Sequence, residues 1–281
     1  MEFYIQTSNH RARRHMTLSS VLRTKTTSQK HIRTACIVLP TYNEASNITR
    51  TLDSIFRQAS LHKTTGVRLH ALVVDDDSPD GTAEIVRRYS ARNKNVHLLL
   101  RHRKNGLGAA YIAGMQHALR TLHPDIIMQM DSDGQHNPVD IYRLINGVGA
   151  DADIVIGSRY VRGGSVPHTW ALYRKILSRA ANRYARLLLD TGGAKDCTGG
   201  FRAIDTAVLR KVELNELRIE GYAFMPVLLD ACVRKGAIVR ELPIRFLDRA
   251  RGESKMRLRD MFRGAFHIAD TRMRRIMHRD Q

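Results

Sequence analysis

The sequence predicts an α/β fold, a parallel sheet covered by helices. Three observations predict it. Short apolar runs alternate along the chain with segments whose apolar residues recur at helical spacing. Most runs end in a cluster of Asp, Asn, Gly or Pro, at the strand ends where ligands of such sheets bind. Hydrophobic residues make up 43% of the 281 residues, enough to bury a substantial core.

Residues 1–33 come first and do not join that pattern. They carry Arg11, Arg13, Arg14, Arg23, Lys25, Lys30 and Arg33 against one acid, Glu2. With weak apolar periodicity they read as a basic mobile tail, either without function or holding the protein near anionic lipid. A single domain is expected over 34–256. Cys36 to Leu39 is its first strand, ended by Pro40-Thr41-Tyr42-Asn43-Glu44, and a helix carries Ile48, Leu52, Ile55 and Phe56. Leu69 to Val74 is a second strand, closed by Asp75-Asp76-Asp77-Ser78-Pro79-Asp80-Gly81. Val96 to Leu100 is a third, and Asn105-Gly106-Leu107-Gly108 opens its helix. Asp125 to Met130 is the fourth and Asp153 to Gly157 the fifth. Beyond it come a helix from about Ala171 to Leu189, a compact turn element at Asp196–Arg202, two helices near 206–212 and 222–234, and a strand at 238–244.

The stretch that organises the site is Asp131-Ser132-Asp133-Gly134-Gln135-His136. Two carboxylates one residue apart, at the carboxyl end of a central strand, suit a hard divalent cation that takes oxygen ligands and keeps several for water and phosphate. Asp and Gly also simply turn chains after strands, so these six residues alone leave both readings open. Among the three acids Asp75–Asp77, one task is to accept hydrogen bonds from a nucleobase or sugar; another is to cap the next helix, with Asp80 near its N-terminus. Arg159, Arg249, Arg251 and Lys255 supply forks and a mobile charge that match phosphate oxygens.

Composition narrows the class. Lys and Arg number 46 against 27 Asp and Glu, a formal charge of +19, which implies an anionic partner: nucleic acid, an acidic membrane face or phosphorylated substrates. Nucleic acid ranks low, because no recognised binding motif is present and the basic ends lack interleaved aromatics. Three scattered cysteines form no metal-type spacing and fit a reducing compartment. No apolar run is long enough to span a bilayer. At 257–281, Leu258, Met261, Phe262, Ala265, Ile268, Ala269, Met273 and Ile276 recur at three- and four-residue steps among Arg residues. That pattern fits a helix at a membrane interface or on a partner, and equally one packed on its own domain.

Seven motifs now stand in order: Pro40–Glu44, Asp75–Gly81, Asn105–Gly108, Asp131–His136, Gly157-Ser158-Arg159-Tyr160, Asp196-Cys197-Thr198-Gly199-Gly200-Phe201-Arg202 and Arg249–Lys255. Together they resemble a family 2 inverting glycosyltransferase of the GT-A fold, closest to the dolichyl- or polyprenyl-phosphate mannose synthases. The resemblance implies a mixed, Rossmann-like sheet and transfer of mannose from GDP-mannose to a polyprenyl phosphate, with Mg²⁺ or Mn²⁺. It implies that Pro40, Tyr42, Glu44, Val74 and Asp76 hold the nucleotide, with Ser132 beside them. Asp131 and Asp133 bracket metal and sugar, with Gln135 as a further metal or phosphate contact. Arg159, Arg174, Arg249 and Lys255 meet the phosphates, and Asp133 and Arg159 are the expected catalytic pair. UDP-glucose as donor, or a soluble hydroxyl acceptor, is the alternative; Glu220 would then be a candidate base, and Met225 stands where a polar residue is common. The chain is expected to work at the cytoplasmic face of a membrane, attached by its amphipathic end or by a membrane-anchoring partner subunit.

Overall fold

The computed structural model describes residues 32–102, 105–149, 151–217, 221–249 and 258–279. The basic segment before Ile32, Glu220 and the Arg251–Lys255 stretch lie outside the described residues. Seven strands form one sheet in the order β3-β2-β1-β4-β6-β5-β7. They are β1 (Arg33–Thr41), β2 (Val67–Asp75), β3 (Val96–Leu100), β4 (Ile126–Gln129), β5 (Ile154–Ser158), β6 (Arg202–Asp205) and β7 (Val239–Pro243). β1 runs parallel to β2 and β4, β2 to β3, and β5 to β7.

Strand alternation sorts the core onto two faces. Ala35, Ile37 and Leu39 of β1 point to one side, where α1 (Ile48–Leu61), α2 (Thr82–Arg92) and α4 (Ile141–Gly147) cover the sheet. Cys36 and Val38 point to the other, beneath α3 (Leu107–Thr121), α5 (Leu172–Leu188), α6 (Thr206–Leu209) and α7 (Phe224–Arg234). The approach of α3 requires Gly114: a Cβ there would lie 2.5 Å from Val38 Cγ1 and 2.7 Å from Val74 Cγ2. That close seat fixes the helix against β1 and β2, and hence what its other residues can reach.

Two departures from the sequence expectation matter. The Asp196–Arg202 element is not only a turn, because Arg202 begins β6, which pairs antiparallel with both β4 and β5. The apolar part of β6 is only Ala203-Ile204, too short for periodicity to reveal. β1 also begins at Arg33, inside the expected tail, because its guanidinium donates to the carbonyls of Ile145 (2.7 Å) and Val148 (2.8 Å) at the C-terminal end of α4.

The last helix, α8 (Leu258–Arg279), divides the apolar stripe read from the sequence between two environments. Ile268 is 6% exposed, Gly264 lies beside Ala223, and the Ala265 carbonyl accepts from the Tyr184 hydroxyl of α5 at 3.0 Å. Arg275 pairs with Asp230 of α7, a carboxylate with no exposed surface. Phe262, Phe266, Met273, Ile276 and Met277 instead face outward, the two Phe being 76% and 69% exposed. At about 100° per residue these five share an arc of about 100°. No helix of the described residues is long and apolar enough to cross a membrane.

Candidate active site

The site forms beyond the carboxyl ends of β1, β2, β4 and β5. Its floor is the turn after β4. Asp131 is held from two sides: the hydroxyl of Tyr111, a fully buried residue of α3, donates to its Oδ1 at 3.1 Å, and its own backbone N–H donates to His136 Nδ1 at 3.0 Å. Accepting at Nδ1 puts the neutral imidazole's proton on Nε2, 3.9 Å from Asp131 Oδ2. His136 stacks on Phe201 with ring centroids 4.7 Å apart, and burial pushes its imidazole down to about 4. Its ring thus supports the Asp131 backbone from a packed position.

Asp133 is arranged differently. Its Oδ1 accepts from Gln135 N at 3.1 Å, and Oδ2 lies 3.1 Å from a guanidinium nitrogen of Arg249. Burial raises the pKa of both carboxylates, and for Asp133 the neighbouring Asp131 raises it further, while Arg249 opposes the shift. Two carboxylates side by side, Asp133 buried and Asp131 partly open to the site, favour any added positive charge. They fit Mg²⁺ or Mn²⁺: hard oxygen donors, one with a buried hydroxyl fixing its orientation. Among the described residues no group of three His, Cys, Asp or Glu is gathered where it could hold one ion.

A cationic wall faces the acids. Arg159, after β5, makes a bidentate pair with buried Asp196 (2.8 and 2.7 Å) and also donates to Thr198 Oγ1. Burial works against its charge, but Asp196 outweighs burial and raises its pKa. Arg174 of α5 lies 3.9 Å over the Trp170 ring, which meets Phe246 edge-on, and is close enough to Arg249 and Arg159 to have its pKa lowered, after burial, by them. Arg159 and Arg249 thus stand beside the Asp131–Asp133 pair, and Arg174 stands next to those two arginines.

At the ends of β1 and β2, the three adjacent acids divide their work. Asp75 is fully buried and structural, accepting from Thr41 Oγ1 (2.7 Å), Ser78 Oγ (2.6 Å) and Ser78 N (2.9 Å). Asp76 pairs with Arg101 at 3.0 Å. Asp77 and Asn43 both take left-handed backbone (φ 55°), a conformation that non-glycine residues adopt at a cost and that clusters at functional turns. Asp80 ties the two loops, accepting from Ala45 N and from Thr82 N and Oγ1; these bonds outweigh burial and hold its carboxyl below the usual range. Glu44 accepts from Asn47 Nδ2 at 2.9 Å, and Ser132 donates to the Pro40 carbonyl at 3.3 Å.

Two of the expected contacts have side chains already engaged within the protein. The Val74 side chain is fully buried under α3, because alternation along β2 turns it into the core; only its backbone is near the strand end. Gln135 spends both ends of its amide on the segment after β7, donating to Leu247 O (3.2 Å) and accepting from Arg249 Nε (3.2 Å), so it tethers Arg249 where a metal ligand was expected. Met225 is buried and fills the core against Gln129 Nε2. Sequence reasoning also passed over Arg202, almost fully buried, whose guanidinium binds the carbonyls of Gly199 (2.8 Å), Met225 (2.7 Å) and Cys197 and so shapes the loop beside Asp131. Tyr111 was likewise unmarked, and Arg101 was read only as a basic residue leading into the Asn105–Gly108 loop, not as the partner of Asp76.

Residues 36–213 match the model of the Glycosyl transferase family 2. The polyprenol monophosphomannose synthase of Mycolicibacterium smegmatis is 38% identical over 235 residues, 83% of this chain and 85% of that one. The dolichol-phosphate mannosyltransferase of Pyrococcus furiosus is 36% identical over 234 residues, covering 83% of this chain and 62% of its own. Among solved structures, mannosyl-3-phosphoglycerate synthase from Rubrobacter xylanophilus superposes with a TM-score of 0.61 at 18% identity, over 88% of this chain and 75% of that one. A mannosyltransferase from Pyrobaculum calidifontis, solved with GDP-Man and Mn²⁺, superposes at 0.51 and 18% identity, over 77% and 57%. The chain belongs to glycosyl transferase family 2 and has its GT-A fold.

Proposed function

We propose that this glycosyltransferase moves mannose from GDP-mannose to a polyprenyl phosphate and inverts the anomeric centre. The observation that carries the reading is the Asp131–Asp133 pair at the sheet edge facing Arg159 and Arg249, with Arg174 next to them. The names of the curated relatives support both the sugar and the lipid phosphate. Pro40, Tyr42, Glu44 and Asp76, on the loops after β1 and β2, would hold the nucleotide, and Asp131 and Asp133 a divalent cation. When bound, that cation would offset the charge building on the departing diphosphate.

The chain's own residues do the rest. A phosphate monoester, with a second pKa of about 6, is largely ionised at neutral pH and needs no base to become a nucleophile. What it needs is positioning and neutralisation. Arg174 and Arg249 serve the acceptor phosphate; Arg159, locked by Asp196, contributes a fixed charge with little freedom to move. A hydroxyl acceptor would require a proton acceptor instead.

Attachment is peripheral in this reading. α5 presents Leu172, Tyr173, Ile176 and Leu187 outward, flanked by exposed Arg179, Arg183 and Arg186, and α8 presents its own aromatic and Met face. Basic residues beside exposed apolar ones suit anionic headgroups above acyl chains.

The test is incubation with radiolabelled GDP-mannose or UDP-glucose, polyprenyl phosphate and Mn²⁺, followed by lipid extraction. Labelled mannosyl lipid from the wild type, and none from Asp133→Ala, is the expected result. Label reaching lipid only from UDP-glucose, or only a water-soluble product, overturns the assignment.

A further inference from the structure

Tyr111 offers more than a filled core position. A Phe would occupy the same space against Phe224, with which the Tyr ring stacks at 5.9 Å and 8°. A buried hydroxyl, by contrast, must find a partner or lose free energy. This one donates to Asp131 Oδ1, and it arrives there because Gly114, nearly one turn further along α3, lets the helix seat directly on Val38 and Val74. Burial and the adjacent carboxylates keep the phenol well above its ordinary pKa, so the proton stays on the hydroxyl and the group remains a donor.

The two acids therefore differ in kind. Asp133 has a charged partner, Arg249, on a segment after β7. Asp131 is held by a neutral hydroxyl from a packed helix and, through its backbone, by His136, itself wedged against Phe201. A neutral donor fixes a carboxylate without cancelling its charge. Resting on the metal reading of the site, we propose that Tyr111 is a positioning residue that presets Asp131 for a divalent cation by occupying Oδ1 and leaving Oδ2 to bind.

Such outer partners typically govern metal affinity by 10–100-fold. The experiment is direct titration of Mn²⁺ into the full chain with GDP present, reading free Mn²⁺ by electron paramagnetic resonance. Tyr111→Phe keeps the ring stack and deletes only the hydroxyl. The expected result is Mn²⁺ affinity weakened about tenfold, GDP binding in EDTA unchanged, and a raised Mn²⁺ activation constant with kcat at saturating Mn²⁺ largely kept. In an Asp131→Asn background the same change should weaken Mn²⁺ no further. A purely structural tyrosine would lower the melting midpoint without moving these constants. Unchanged Mn²⁺ affinity in a folded Tyr111→Phe protein overturns the proposal. Absence of Mn²⁺ binding by the wild type with GDP overturns the metal reading beneath it. If Tyr111→Phe does not accumulate folded, Phe224→Leu, which frees the ring but keeps the hydroxyl, is expected to weaken Mn²⁺ in the same direction; no change there also overturns it.

Discussion

Replacing Arg275 with Ala tests whether α8 is a structural strap of the domain. Asp230 has no exposed surface, its Oδ1 accepts from Asp190 N at 2.8 Å, and its charge is matched by the Arg275 guanidinium, whose side chain is 17% exposed. Removing one partner of a buried pair strands the other charge and costs about 3–5 kcal/mol. The retained Asp190 hydrogen bond and the partial exposure of Arg275 put this case at the lower end, about 3 kcal/mol. For a domain of this size that is a fall in Tm of about 6–12 °C. The assay is urea unfolding of the wild type, Arg275→Ala, Asp230→Asn and the double variant. An Asn at 230 still accepts from Asp190 N but carries no charge, so in the Arg275→Ala background it should recover a large part of the loss. A cost below about 1 kcal/mol for Arg275→Ala, or no recovery in the double variant, refutes the strap.

Other outcomes follow from the same geometry. Asp196→Ala should leave Arg159 buried without its carboxylate, lowering stability by about 3 kcal/mol and cutting transfer together with it; full activity would mean that Arg159 needs no fixed orientation. Phe262→Ser with Phe266→Ser should reduce partition onto vesicles containing anionic lipid, with stability nearly unchanged because both rings already face outward; equal partition removes α8 from the membrane surface. His70 Nδ1 lies 3.0 Å from His97 Nε2, and burial and neighbouring charges lower the pKa of both below 6.5. The unfolded chain then takes up protons that the native state refuses, so their contribution is complete above pH 6.5 and is lost as pH falls below it. The melting midpoint of His70→Gln should therefore depend less on pH between about 7.5 and 5.5 than that of the wild type.

Much of this was legible in the chain. Asp131 and Asp133 announce themselves by following a short apolar strand, whereas Arg174 enters only as an implication of the family resemblance. What the residues could not reveal depends on which way a side chain turns and what crosses over it. Val74 ends a strand beside acidic residues, yet alternation sends it inward. Gln135 looks like a ligand by position, but its amide is consumed by Leu247 and Arg249, more than a hundred residues away. Tyr111 belongs to a helix whose periodicity says only that it is buried. Arg202 closes the Asp196–Arg202 motif without any sign that it is buried, and the carbonyls of Cys197, Gly199 and Met225 make that burial tolerable.

β6 bears on how the molecule is made. β4 pairs with β1 on one side, and its other edge is completed only by β6, about 70 residues later in the chain. At about 5–20 residues per second of synthesis, that edge waits about 4–15 s for its partner. Throughout that interval Ile126–Gln129 is an apolar strand with an open row of backbone donors and acceptors, the template on which chains aggregate. A ribosome stalled between these strands would present a half-built sheet with its catalytic acids already synthesised and its edge unguarded. The antiparallel strand that shapes the site is thus also the one that closes the open edge of β4.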